Sequence, residues 1–315
     1  MMQDIYGDQT VAENPLQRYF RRPALWVKLP TLGRWYKHGE VDLNQNQEVR
    51  IFGLSAVDDV MLNTPDALFN GYALETVLLS CVPDIKDVKS VMQPDLDALF
   101  LGIKAATNNG KFDIERKCEA CGHDNNFEVQ CNHLLDGMTY IEDSETALEI
   151  DSELRVHVQP YNFAMRSLLL QKQMEEQRTL NMIERDESIE NDIQRADALA
   201  RSIEKLTTLT FDLVAGAITA IELLGSDNQI VTDQKFIAEW LQNIDKNTAT
   251  AVIEAVNNLN NIGPPKETDA KCEHCGHTWT EKLNFDPALF FYRPSQRRLR
   301  DVNYISDVFL VATTL

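Results

Sequence analysis

The chain has 315 residues, 43% of them hydrophobic and 25% charged, the composition of a protein that buries a core rather than of a disordered or fibrous one. Its net charge of −19 argues against broad attraction to nucleic acid, which needs a basic surface, and favours basic protein partners. No apolar run approaches the ~18 residues of a membrane span, and no leader pattern of basic then apolar residues opens the chain, so a cytosolic protein is expected.

Residues 1–28 read as an N-terminal extended arm. Asn14-Pro15 and Arg22-Pro23 oppose regular structure, and Arg18, Tyr19, Phe20, Arg21, Arg22 and Trp26 mix cations with aromatics. Such a segment either grips a partner or packs its aromatics on its own core. Pro30 and Gly33 then specify a turn. Val49, Ile51 and Leu54 mark a short strand, and Ser55 reads as a helix N-cap. Thr64-Pro65 starts a further helix, with Leu68, Tyr72, Leu74, Val77, Leu78 and Cys81 on its buried face. Asp95 is expected to cap the next, which ends at Asn108-Asn109-Gly110.

Residues 111–117 and 127–133 are predicted strands flanking Cys118-Glu119-Ala120-Cys121-Gly122. The run Glu142 to Glu153 is an acidic loop or edge, and Leu154, Val156 and Val158 alternate as a strand that Pro160 ends. From Phe163 to Leu224 the signals are helical, with Ile189, Ile193, Ala196, Ala200 and Ile203 forming one stripe. Two more helices are predicted near 233–244 and 248–259, stopped by Gly263-Pro264-Pro265. The end of the chain, from Phe290 through Arg300 to Phe309-Leu310-Val311-Ala312, is again basic and aromatic.

The strongest chemical signal is a repeat. Lys117-Cys118-Glu119-Ala120-Cys121-Gly122-His123 returns as Lys271-Cys272-Glu273-His274-Cys275-Gly276-His277. A Cys-x-x-Cys-Gly turn brings two thiolates to one side of a tight loop, and structural zinc takes four tetrahedral ligands. Two halves make one site, so Cys118, Cys121, Cys272 and Cys275 are predicted to hold one structural Zn²⁺ per chain. A local site of Cys118, Cys121, Cys131 and His133 is the competing wiring. Cys131 lies 13 residues after Cys118, as Phe285 lies 13 after Cys272, which places Cys131 at an apolar strand position. His123 and His277 follow the two glycines, either donating to a sulfur or lying exposed. A redox dithiol suits matched duplication poorly.

Four thiolates close the coordination shell, and no phosphate-binding, nucleophile-elbow or zinc-protease motif accompanies them. No enzymatic activity is expected. Glu115, Glu119, Asp124, Glu128, Glu273 and Glu281 outweigh Lys117, Lys271 and Lys282 around the turns, a poor footprint for nucleic acid.

Leu29-Pro30-Thr31-Leu32-Gly33-Arg34-Trp35-Tyr36 resembles the Leu-Pro-Ser-x-Gly-x-x-Tyr opening of a family of baseplate proteins from T-even-like, contractile-tailed bacteriophages. Val49-Arg50-Ile51, Ser55 to Leu62, Asn63-Thr64-Pro65-Asp66, Gly71 to Asp84, Asp95 to Gly110 and Cys118 to Gly122 follow in that family's order. The resemblance covers about residues 27–135 and again the last 50. Thr31 in place of Ser, Trp35 beside Tyr36, and Glu119-Ala120 where Pro often sits are departures. The resemblance implies an assembly component of a phage baseplate, in the virion tail and in host cytoplasm during assembly. It also implies contacts with other baseplate and tail proteins and no small-molecule substrate or membrane. A zinc-ribbon adaptor or nucleic-acid-binding regulator is the alternative.

The fold expected from these readings is mainly α with a small β element: a helical domain plus a split zinc ribbon closing a long helical insertion. Its parts are the arm at 1–28, a helical domain with the first half-ribbon at 29–135, the insertion at 136–266, and the second half-ribbon with a tail at 267–315.

Overall fold

The computed structural model describes residues 14–63, 71–107, 110–185, 192–224, 229–283 and 285. The predicted helix start at Thr64-Pro65, Leu68, the Asn108-Asn109 stop, Ile189 and the basic aromatic C-terminal segment lie outside these residues. So do the side chains of Ile193 and Ile203.

Two hydrophobic cores organise the described chain. The first begins with the antiparallel pair β1 (Leu25–Lys28) and β2 (Glu48–Ile51), whose Val27, Val49 and Ile51 point inward. Helices α1 (Ala56–Leu62), α2 (Tyr72–Cys81) and α3 (Gln93–Thr107) complete it. Ser55 caps α1 as its residue type predicts: its hydroxyl accepts from the Asp58 N–H at 3.2 Å, and Asp58 accepts from the Ser55 N–H at 2.7 Å. Every residue of α3 from Pro94 to Lys104 is buried. Each fully buried Leu or Phe there contributes ~1.5–3 kcal/mol by leaving water.

Asp95 does not cap α3. It lies inside the first turn of that helix and accepts from the Thr31 N–H (2.9 Å), the Thr31 hydroxyl (2.5 Å) and the Tyr36 hydroxyl (2.5 Å). Burial pushes its carboxyl up to about 6 against the pull of those hydrogen bonds. Its neighbour Asp97 accepts from Gln93 and Lys266 and faces Arg166 at 4.0 Å.

The hairpin β3 (Lys111–Lys117) and β4 (Asp124–Gln130) carries the first cysteine turn at its tip. The second predicted strand ends earlier than expected: Cys131 and His133 belong to the short helix α4 (Cys131–Asp136). The Cys131 N–H donates to the Gly110 carbonyl at 2.6 Å, which folds the chain back onto α3.

Between the two hairpins the chain builds the second core. Strands β5 (Ala147–Glu149), β6 (Leu154–Val158), β7 (Ile218–Leu223) and β8 (Gln229–Val231) form one antiparallel sheet in that order. Helices α5 (Phe163–Arg185) and α6 (Asp192–Ala217) pair between β6 and β7, with Glu176 accepting from Ser202 and Lys205, each at 3.0 Å. Ala196 and Ala200 of the proposed stripe are exposed. Helices α7 (Gln234–Asn243) and α8 (Lys246–Asn260) pack Ile237, Leu241, Val252 and Val256 into this core, capped by Asp233 and Asp245.

The fold is therefore mixed α/β, with 45% helix and 22% strand, and the expectation of a mainly α chain with a split zinc ribbon closing a helical insertion is corrected. The error is local. Ile218 to Leu223 reads as more helix after α6, but Ile218 and Ile221 are β-branched and pair with Val158 and Val156 of β6, with an irregularity at Thr219 between them. The acidic run likewise contains β5, paired to β6 through Ala147, Leu148 and Glu149.

The arm joins the first core through β1 and the Ala24 N–H, which donates to the Ile51 carbonyl at 2.8 Å, and ahead of these through the side chain of Arg21. The Arg21 guanidinium donates to the Gly53 carbonyl (2.5 Å), the Ser80 carbonyl (2.7 Å) and hydroxyl (2.5 Å), and Asp58 (3.0 Å). Arg50 grips Asp84 in the same manner. Burial pushes both carboxyls up, but hydrogen bonds from Ser55 and Ser80 on Asp58, and from Arg50 on Asp84, outweigh it with help from the guanidinium charges. Both carboxyls lie below the ordinary value. Their contribution is full above the unfolded value of about 4 and is lost as pH falls through the folded value. Arg21→Ala and Arg50→Ala are expected to move acid unfolding, followed by circular dichroism, to higher pH; unchanged midpoints would contradict these pairings.

Candidate metal centre

Strands β9 (Glu267–Lys271) and β10 (Thr278–Lys282) form a second hairpin like the first, paired from Lys271↔Thr278 to Glu267↔Lys282. Each hairpin ends in the same turn. The Cys118 N–H donates to the His123 carbonyl at 2.8 Å, and the Gly122 N–H donates back to the Cys118 carbonyl at 2.8 Å. The Cys272 N–H to His277 carbonyl (2.8 Å) and Gly276 N–H to Cys272 carbonyl (3.0 Å) bonds repeat the pattern. Gly122 and Gly276 take φ of +71° and +73°, a left-handed conformation that a side chain disfavours, which explains why Gly follows each second cysteine.

The two tips face each other. The four Sγ atoms of Cys118, Cys121, Cys272 and Cys275 lie within 4.8 Å of one another. Across the gap, Cys118 Sγ is 3.7 Å from Cys275 Sγ and Cys121 Sγ is 3.6 Å from Cys272 Sγ. A tetrahedral ion with metal–sulfur bonds of ~2.3 Å spaces its sulfurs by ~3.8 Å, so these crossed pairs fit one such ion. Cys118 and Cys272 are buried, Cys121 and Cys275 exposed. Four thiols this close compete for protons. Burial resists ionisation of Cys272, yet the Cys275 and His274 N–H groups and the neighbouring thiols bring it down to about 6. Cys121 feels the His123 N–H pulling it down, but burial and the other three thiols push it up to about 12. A cation that replaces the protons relieves this conflict.

Contacts beyond the sulfurs hold the hairpins together. Arg116 of β3 donates to Glu281 of β10 at 2.6 Å, and Trp279 donates its indole N–H to the same carboxylate at 3.1 Å. The Trp279 ring meets Phe127 edge-on at 5.4 Å, and His123 stacks on His274 at 5.3 Å. Thus His123 contacts the other turn through its ring, whereas His277 stacks on Trp279 of its own hairpin. The repeat does not announce these contacts. They lie where the two copies differ: Arg116 corresponds to Ala270, and Glu281 to Phe127.

Cys131 and His133 do not join the cluster. Cys131 is fully buried in the first core, where burial pushes its thiol up to about 11, and Phe285, its counterpart, is buried in the same core. Among the described residues no other group of three or more Cys, His, Asp or Glu gathers in this way.

The family model of the T4 bacteriophage base plate protein matches residues 54–292, from the cap of α1 past both cysteine turns. The chain belongs to that family. No curated protein and no solved structure matches it. Membership gives the chain a structural role in a phage baseplate, among tail proteins of the virion. The match starts after residues 29–36, whose shape the structure explains directly. Thr31 and Tyr36 both donate to Asp95, so Thr in place of Ser keeps the required hydroxyl. No described helix is long and apolar enough to cross a membrane.

His133→Ala is expected to leave metal content per chain unchanged, whereas Cys118→Ser should lower it. Loss of metal in His133→Ala, read by elemental analysis of the purified chain, would restore the local wiring.

Proposed function

We propose that the four thiolates hold one structural Zn²⁺, which clips two distant hairpins together in a non-enzymatic baseplate assembly protein. The crossed sulfur spacing carries this reading. Four thiolates leave no open coordination position, so the ion would polarise no substrate and would act on the fold alone. The return of the chain after the second hairpin supports the clip: Leu283 and Phe285 enter the first core, as Val129 of the first hairpin does. We propose on the same ground that 29–135 and the described part of 267–315, as far as Phe285, form one unit, with 136–266 between its two parts.

Partner contacts are assigned to the arm. Leu16, Tyr19, Phe20 and Trp26 are 60%, 71%, 58% and 51% exposed, although the arm itself is tethered through Arg21. Apolar side chains held out in this way suit a protein interface better than their own core. The neighbours would be other baseplate and tail proteins, met during assembly in host cytoplasm, with no small molecule or membrane involved.

Elemental analysis of the full chain should give one zinc per chain, and two per chain would overturn the shared site. Cys272→Ser should raise hydrogen exchange in the 118–122 turn as well as in its own; an unaffected first turn would mean the halves are independent. Replacing Tyr19 and Phe20 by Ser should change stability by less than ~0.5 kcal/mol, because both are exposed. The same pair should weaken incorporation into baseplate intermediates by tenfold or more, the signature of ~1.4 kcal/mol of interface energy. Full incorporation, measured by sedimentation, would exclude the arm as a contact.

A further inference from the structure

Besides the stacked His123 and His274, a side chain that the repeat does not share bonds the two cysteine turns to each other. Asn125 is the second residue of β4, seven residues after Cys118; the residue seven after Cys272 is Trp279. Asn125 is 3% exposed, and both ends of its carboxamide are used. Its Nδ2 donates to the His123 carbonyl at 3.0 Å, and its Oδ1 accepts from the Glu273 N–H at 3.0 Å. These partners are not arbitrary. The His123 carbonyl is the group that accepts the Cys118 N–H and closes the first turn. The Glu273 N–H belongs to the peptide that leaves Cys272 and opens the second. One carboxamide therefore links the closing bond of one turn to the backbone beside a thiol of the other.

We propose that Asn125 is a positioning residue for the four-thiol site, fixing the second turn against the first so that the sulfurs stand at tetrahedral spacing before an ion arrives. This rests on the metal reading above. Buried partners that orient metal ligands typically change affinity by about 10-fold to 100-fold when removed. With both ends satisfied the buried amide escapes the penalty of an unpaired polar group, whereas the first hairpin alone would supply only the His123 carbonyl and leave Oδ1 without the Glu273 N–H. Its geometry thus favours the docked arrangement of the two hairpins independently of metal. A carboxylate at 125 would keep the acceptor for the Glu273 N–H but face the His123 carbonyl with a second acceptor.

The test uses the full apo chain and zinc in competition with a chromophoric chelator, with Co²⁺ as a spectroscopic probe of the ligand set. Asn125→Ala is expected to bind zinc about 10-fold to 100-fold more weakly than wild type. The one-per-chain stoichiometry and the four-thiolate cobalt spectrum should both remain, and Asn125→Asp should fall between the two. Wild-type affinity in Asn125→Ala would overturn the proposal. Should Asn125→Ala fail to fold, Asn125→Asp decides, and wild-type affinity there would overturn it as well. If the wild-type chain binds neither ion, the metal reading fails, and hydrogen exchange at the Glu273 amide then judges Asn125 alone. Faster exchange in Asn125→Ala supports its role in docking the turns; unchanged exchange removes it.

Discussion

The structure depends on a helix that has no free side. Every residue of α3 from Pro94 to Lys104 is buried, so whatever contacts it must fit closely on all faces. Gly102 shows how closely: a Cβ there would come within 2.9 Å of Val27 and 3.4 Å of Ile51, so β1 and β2 can lie flat on the helix only over a glycine. At the amino end of the helix two carboxylates are buried, a placement the helix dipole favours. Asp95 takes the loop 31–36; Asp97 takes Lys266, from the strand-bound approach to the second hairpin, and faces Arg166 of α5. Three stretches far apart in the chain are thereby set against one helix end, one of them the approach to the second cysteine hairpin.

Much of this was legible in the sequence where a residue's local chemistry determines its place. Ser55 caps the helix that follows it, and the alternation from Leu154 to Val158 is a strand with those bounds. The repeated cysteine heptapeptide showed which four thiols would meet, because a half-site in each copy leaves a divalent ion short of ligands. What was not legible were long-range choices. Asp95 looks like a cap because a carboxylate at a helix start usually is one; only the presence of Thr31 and Tyr36 across the core makes it a hub. Ile218 to Leu223 continues an apolar pattern long enough to pass for helix, and the partner strand that claims it lies some sixty residues earlier.

The duplication is exact in backbone and broken in contact. Both turns share the same two hydrogen bonds and the same left-handed glycine, which their common sequence requires. Two identical tips would nonetheless present identical surfaces. The differences supply complementarity: a guanidinium meets a carboxylate, an indole edge meets a phenyl ring, and a carboxamide reaches the opposite backbone. Asn125 and Trp279, at matching positions, carry different duties for this reason. Sequence identity between the copies marks the ligands, and divergence marks how the copies hold each other.

The Asp97 site also has a mechanical reading. Helix α5 leaves the body at Phe163 and runs 23 residues, ~35 Å at 1.5 Å per residue, before the chain turns back into α6. Its Arg166 donates to Gln93 at 2.8 Å, Gln93 donates to Asp97 at 2.7 Å, and Lys266 reaches the same carboxylate from the other side. A long rod is thus pivoted a single turn from its root, on a carboxylate shared with the strand that leads to the cysteine clip. A sideways force on the far part of this helix would act through a long arm on that root, so the load would bear on the same carboxylate that holds the approach to the second cysteine hairpin.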